Sequence, residues 1–265
     1  VNISIVLSQM GIQSKAILFL GGGIGELIDR EISARQGIEV IPIRISEENR
    51  INVKIKNQTE TAINALGPCV SAGQQDALLA TLNELTKEDY VLISGSFCQG
   101  VTAELVEKIG EQVLKAGARL ITDIPNLKIA NYRKIKPYLI KPNLEELAMI
   151  FQNDVNEDNY PDYAGELIKA GVENVLVSLG RDGAYFANRH KRYQLFGPAV
   201  EVINTVGCGD SMLACTVASL ARHEELTEAL KYGEAAGRAK AKTRGLPSAE
   251  DVKQLYEKIE IREVE

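Results

Sequence analysis

The sequence predicts an α/β fold in which a parallel sheet is covered by helices on both faces. Three observations predict it. Short β-branched runs alternate along the chain with longer segments of helical period, the pattern of strand–helix–strand units. The 265 residues are 45% hydrophobic and 25% charged, with 22 glycines and 8 prolines, a balance too apolar for disorder and too mixed for a fibre. That length holds one large α/β domain with a sizeable core.

Taken in order, strands are expected at residues 16–20, 90–94, 119–124, 138–141, 174–179 and 200–204. Helical period places Leu78, Leu79, Leu82 and Leu85 on one face of 75–85, and Leu105, Ile109 and Val113 on one face of 102–116. Gly117 stands where a helix C-cap belongs. Segment 212–222 is apolar nearly all round, as a buried helix would be. Ser248 and Asp251 form a capping box ahead of Val252, Leu255, Tyr256 and Ile259. One stretch breaks the rhythm. Runs 39–45, 51–55 and 59–64 follow one another without a helix, so a small three-stranded antiparallel unit, a lid, is expected there. With no linker, repeat or low-complexity tract, residues 1–265 read as a single domain.

Composition also excludes function classes. A net charge of −6 gives no global basic field for nucleic acid or an anionic membrane. No run reaches the ~20 apolar residues a bilayer span needs, and no signal peptide is visible. Cys69, Cys98, Cys208 and Cys215 lack CxxC spacing, and His190 and His223 stand far apart among charged residues. Neither a zinc site nor a disulfide framework is expected, and the cytoplasm is the expected compartment. The sequon Asn57-Gln58-Thr59 is idle in that setting.

The strongest chemical signal is Asn204-Thr205-Val206-Gly207-Cys208-Gly209-Asp210-Ser211. Two glycines let backbone approach a ligand, and successive N–H groups at a helix start attract an anion. An aspartate there repels the same anion. It makes sense as a base that takes a proton from a nucleophile while the N–H groups hold a transferring phosphoryl. A plain Gly-Asp turn capping a helix is the bland alternative. Cys208, at the same helix start, has two readings: a thiol of lowered pKa that reacts readily and that a bound ligand protects, or simply a tolerated small residue. Gly21-Gly22-Gly23-Ile24-Gly25 is no dinucleotide fingerprint, because Glu26 breaks the register. No G-x-x-x-x-G-K-[ST] motif occurs.

The Gly207–Asp210 run resembles the G-A-G-D signature of the ribokinase-like, or phosphofructokinase B, family of sugar kinases, with Cys208 in place of alanine. Lys141-Pro142-Asn143 with Glu146 resembles the family's N-x-x-E element. The run from Ser178 through Gly180 and Asp182 to Gly183 resembles the loop lining the ATP site, and Ser94-Gly95-Ser96 the S-G-S turn beside the sugar. The resemblance runs from Val1 to Ile261. It implies a three-layer α/β/α sandwich with a mostly parallel sheet and a β lid. Gly21 and Gly22 would then allow close packing or substrate approach. Arg50-Ile51-Asn52-Val53-Lys54 resembles the R-x-N-x-K pattern of the 1-phosphofructokinase and tagatose-6-phosphate kinase branch. Strand alternation would put Arg50, Asn52 and Lys54 on one face as a phosphate clamp, against the bland reading of a solvated strand face.

The resemblance implies an ATP-dependent sugar-phosphate kinase, converting fructose 1-phosphate to fructose 1,6-bisphosphate in preference to phosphorylating tagatose 6-phosphate. A kinase of an unphosphorylated sugar and a binding protein without turnover stay open. Asp210 would be the base, with Gly207, Cys208 and Gly209 stabilising charge. Lys141, Ser178, Gly180, Asp182, Gly183 and Gly209 would bind ATP, and Asn143 and Glu146 would hold magnesium through water. Asn2, Arg50, Asn52, Lys54, Ser94, Gly95 and Asp210 would bind the sugar phosphate, and a homodimer through the lid is expected from family relatives. The family's opening strand, with its N-P-x-x-D element and G-G-K-G turn, has no counterpart before Val1. A longer parent is expected, since lacking a central strand would bare an apolar edge.

Overall fold

The computed structural model describes residues 1–56, 60–63 and 65–264. The chain runs α1 (Asn2–Gln9), β1 (Ser14–Leu20), α2 (Gly22–Ser33), β2 (Ile38–Arg44), β3 (Val53–Lys56), β4 (Glu60–Ile63), α3 (Ala72–Thr81), β5 (Tyr90–Ser94), α4 (Ala103–Ala116), β6 (Arg119–Asp123), α5 (Ile129–Ile135), β7 (Leu139–Ile140), α6 (Leu144–Phe151) and α7 (Tyr160–Lys169). It continues with β8 (Asn174–Ser178), β9 (Ala184–Asn188), β10 (Arg192–Phe196), α8 (Cys208–Ala221), α9 (Leu226–Ala241), α10 (Ala249–Tyr256) and β11 (Glu260–Glu263). Among the described residues the strands form one seven-stranded sheet, ordered β11-β10-β9-β8-β7-β6-β5, and two separate pairs, β1-β2 and β3-β4. Strands β5 to β8 are mutually parallel; β9, β10 and β11 add antiparallel edges.

Period-2 alternation builds the layers. Along β8, Val175 and Val177 join one core cluster and Leu176 the other; along β9, Tyr185 and Ala187 face one way, Ala184 and Phe186 the other. One cluster packs the sheet against α1, α8, α9 and α10, the second against α4 to α7. This is the expected three-layer α/β/α arrangement. Helix α8 is buried continuously from Ser211 to Ser219, as its all-round apolar sequence predicts. Thr102, Gly117 (φ +72°) and the Ser248–Asp251 capping box bound their helices as read from sequence. No helix among the described residues is long and apolar enough to cross a membrane.

Two expectations are corrected and one element goes unread. Residues 200–204 are not a strand. Val202 and Ile203 are exposed, and the Ile203 and Asn204 N–H groups both donate to Ala241 O, so the β-branched run has no partner ladder to join. The hairpin of β9 and β10 goes unread because its turn lacks glycine. Asn188 Oδ1 instead accepts from the His190 and Lys191 N–H groups, an Asx device that does the same work. The lid is a two-stranded unit. Among the described residues of this stretch, β2 runs parallel to β1 and β3 pairs antiparallel with β4, with Val53 opposite Ile63. Thr59 and Asn64, within the third expected strand, and the Asn57–Thr59 sequon lie outside the described residues.

Candidate active site

The candidate side chains of the main sheet gather at the carboxyl ends of β5 to β8 and the start of α8, where open α/β sheets present their ligands. Ser94 ends β5, Asp123 ends β6, Lys141 follows β7 and Ser178 ends β8. The register Ser94↔Asp123 and the bridge Asn143↔Ser178 fix these ends side by side.

Helix α8 enters this row through Gly207, whose φ of +87° is a left-handed conformation that glycine adopts without steric cost. Asp210 is its third residue. Asn2 Nδ2 donates to one carboxylate oxygen at 2.8 Å and Ser94 Oγ to the other at 3.2 Å. Two neutral donors from α1 and β5 thus aim the carboxylate without neutralising it. Sequence reasoning assigned all three residues to the substrate, and the structure brings them together.

The other side of the turn is lined by lysine. Lys141 is 4% exposed, and a Cβ added to Gly209 would lie 2.8 Å from its Nζ. Glycine at 209 is what lets a buried ammonium reach the first turn of α8. Lys141 also pairs with Asp123 at 3.3 Å. Burial pushes the Asp123 carboxyl above its usual range, and Lys141 only partly offsets this. Of the three N–H groups expected to hold an anion, that of Cys208 is taken by Thr205 O at 3.1 Å. Those of Gly207 and Gly209 are the two left from that expectation.

Asn143 and Glu146 cap α6 reciprocally: Glu146 N–H donates to Asn143 Oδ1 at 2.8 Å, and Asn143 N–H to Glu146 Oε2 at 2.9 Å. The nucleotide-type loop turns at Gly180 and Gly183. A Cβ at Gly183 (φ +99°) would lie 2.0 Å from Leu195 O, so any side chain there displaces β10. Arg238, buried in α9, holds this loop from behind. It donates to Arg181 O at 3.2 Å and Pro198 O at 2.9 Å, and pairs with buried Glu234 at 2.6 Å. Asp182 is exposed beside Arg181.

On the lid side, Arg50 and Asn52 precede β3 and do not share a strand face with Lys54, whose side chain lies outside the described residues. Arg50 turns instead onto Ser96, donating to its Oγ and carbonyl oxygen. Asn52 Oδ1 accepts from Ala65 N–H. Gly95 adopts φ +92°, turning the chain between Ser94 at Asp210 and Ser96 at Arg50. The packing expected of Gly21 is seen: an added Cβ would lie 2.2 Å from Glu47 O.

Residues 1–252 match the family model described as pfkB family carbohydrate kinase. The chain belongs to this family. The pfkB-family chain is 32% identical over 263 residues to the 1-phosphofructokinase of Bacillus subtilis (strain 168), covering 98% of itself and 86% of that protein. It is 30% identical to the D-tagatose-1-phosphate kinase of Bacillus licheniformis, with the same coverage. It superposes with a TM-score of 0.87 on the Escherichia coli phosphofructokinase-2 solved with substrates and products, 26% identical, over 97% of this chain and 85% of that one. Membership makes this chain an ATP-dependent phosphotransferase acting on carbohydrate, and its sheet and helices the ribokinase-like fold.

In this kinase burial works against the activated-thiol reading of Cys208. Cys208 is half-buried, and burial pushes its thiol above the ordinary range, with nearby Lys240 opposing only in part. At pH 7 a maleimide is therefore expected to label exposed Cys69 several-fold before Cys208, read by peptide mass spectrometry. Preferential labelling of Cys208 would restore the activated thiol. Sequence reading also passed over Asp123 and Arg238. Asp123 had a signal, an acidic residue ending a strand beside Lys141. Arg238 had none.

Proposed function

We infer that this kinase transfers the γ-phosphoryl of ATP to a primary hydroxyl of a ketohexose phosphate, with fructose 1-phosphate as substrate and fructose 1,6-bisphosphate as product. The observation that carries the reading is Asp210, aimed by Asn2 and Ser94 in the first turn of α8 beside a buried lysine. Asp210 takes the hydroxyl proton as the new O–P bond forms. The bond from the γ-phosphorus to its bridging oxygen breaks, and ADP leaves. The Gly207 and Gly209 N–H groups and Lys141 meet the charge on the transferring group. Ser178, Gly180 and Gly183 shape the nucleotide side, with Asp182 at its rim.

No group of three or more acidic, histidine or cysteine side chains that could hold a metal occurs among the described residues. Asn143 and Glu146, oxygen donors at the start of α6, would hold magnesium carried by the nucleotide phosphates through water. When bound, the ion neutralises phosphate charge.

The substrate's existing phosphate is assigned to Arg50, the cation beside the Ser94–Ser96 turn, with Asn52 and Lys54 nearby in the chain. Ile51, Val53, Ile63 and Leu66 are exposed on and beside the β3–β4 hairpin, which supports a homodimer through the lid. The single kinase domain is placed in the cytoplasm, where its cysteines stay reduced.

ADP release with ATP, magnesium and fructose 1-phosphate, tagatose 1-phosphate, tagatose 6-phosphate, fructose 6-phosphate or ribose tests the reading. Fructose 1-phosphate is expected to give the highest kcat/KM. Faster turnover of ribose would point to an unphosphorylated acceptor, and no ADP release would leave a binding protein. Arg50→Ala is expected to raise KM for the sugar phosphate roughly ten- to a hundredfold, the worth of a lost charge-assisted contact. An unchanged KM would remove Arg50 from the clamp.

A further inference from the structure

Behind the anion turn lies a second buried lysine that the transfer chemistry does not use. Lys240, at the carboxyl end of α9, is 2% exposed. Helices α8 and α9 pack antiparallel: a Cβ added to Gly233 would meet Thr216 and Met212, and one added to Gly237 would meet Met212 and lie 3.6 Å from Cys208 O. The end of α9 therefore sits under the start of α8. There the Lys240 ammonium donates to Asn204 O at 3.2 Å and Thr243 O at 3.0 Å. Its Cε would lie 3.7 Å from a Cβ on Gly207. Among the described residues it forms no ion pair with a carboxylate.

An ammonium removed from water is costly unless carbonyls and opposite charge meet it. The end of a helix supplies a favourable dipole and the two carbonyls supply hydrogen bonds, but no carboxylate balances the charge. The turn from Asn204 to Gly207, which Lys240 ties to Thr243, is the one that receives the phosphoryl anion.

We propose that Lys240 is a positioning residue, a built-in cation that fixes the anion turn and sets positive charge behind it. This rests on the phosphoryl-transfer reading above. Main-chain carbonyls that bind an ammonium can equally bind an alkali cation, so the tethered lysine makes a free monovalent cation unnecessary in this chain.

The test compares wild type with Lys240→Met and Lys240→Ala. Lys240→Met is expected to lower kcat about ten- to a hundredfold, the usual loss when a group supporting a reactive site is removed. KM for the sugar phosphate should move less than threefold, because Arg50 is untouched. Methylammonium or potassium should restore part of the Lys240→Ala rate but none of the Asp210→Ala rate. Wild type should keep its rate within twofold when sodium replaces potassium. A Lys240→Met kcat within twofold of wild type would overturn the proposal. So would a wild type that loses fivefold in sodium, a measurement that needs no variant to fold. Binding of the non-hydrolysable nucleotide AMP-PNP separates this inference from the functional reading. Its Kd is expected to rise about tenfold in Lys240→Met whichever sugar is the acceptor, and an unchanged Kd defeats the positioning role even if wild type releases no ADP.

Discussion

Asp210→Ala is expected to turn over about a hundred- to ten-thousandfold more slowly than wild type, with Michaelis constants within a few-fold. The size follows from what the carboxylate does. Its oxygens accept from Asn2 and Ser94, so it is oriented before substrate arrives. Removing it takes away the proton acceptor but leaves the Gly207 and Gly209 N–H groups, Lys141 and the nucleotide loop in place. ATP binding should therefore survive, as calorimetry with AMP-PNP would show. Steady-state ADP release decides the matter: near-normal kcat in the variant would mean that another group takes the proton and that Asp210 merely caps α8. An Asn2→Ala variant, which frees one carboxylate oxygen, should lose far less.

The largest stability effect is expected at Arg238. Glu234 is 2% exposed and Arg238 meets it at 2.6 Å. Arg238→Met leaves a buried carboxylate without its partner, which costs about 3–5 kcal/mol and lowers Tm by roughly 10 °C for a chain of this size. Glu234→Leu combined with Arg238→Met should recover most of that, because an apolar pair of similar volume strands no charge. The pH dependence has a definite sign. Burial raises the Glu234 carboxyl above its ordinary value of 4.5, with Arg238 pulling it back only in part. The folded chain then holds a proton that the unfolded chain has released, so this group's contribution to stability falls as pH rises from 4.5 through the folded value. Without Arg238 the folded value climbs further. The gap between wild type and Arg238→Met in urea unfolding should therefore narrow as pH is lowered from 8 towards 5. A gap that stays constant, or stays below 1 kcal/mol, would show that the ion pair is not what holds this end of α9. Since Arg238 also holds Arg181 O and Pro198 O, the same variant should raise KM for ATP.

Much of this was legible in the sequence because the chemistry rides on local patterns. Gly207–Asp210, Asn143 with Glu146 and Ser94–Ser96 are short runs whose spacing survives folding unchanged, and each sits at a strand end or helix start as expected. Helix α8 announced itself by being apolar on every side. What stayed hidden depended on partners far along the chain. Residues 200–204 have strand chemistry but no neighbouring strand, while β2 has a neighbour, β1, that local reading could not supply. Lys240 belongs to an Ala-Lys-Ala stretch of helix with no motif, and only the antiparallel packing of α8 and α9 brings its ammonium under Gly207. Arg50 was found by resemblance, yet its direction, toward Ser96 and away from β3, is set by a loop that alternation does not describe.

The parallel pair β1-β2 is separate from the seven-stranded sheet and has a small apolar nucleus of its own, Ala16, Ile32 and Ile38. From β2 the chain leads directly to Arg50, whereas Asp210, Lys141 and the nucleotide loop are anchored in the two large clusters. Arg50 is therefore reached through the smaller nucleus, whereas Asn2 and Ser94, which meet Asp210, stand on α1 and β5 beside the large clusters. A local opening of the β1-β2 nucleus would loosen the approach to Arg50 while the contacts of Asn2 and Ser94 with Asp210 stay on the larger core.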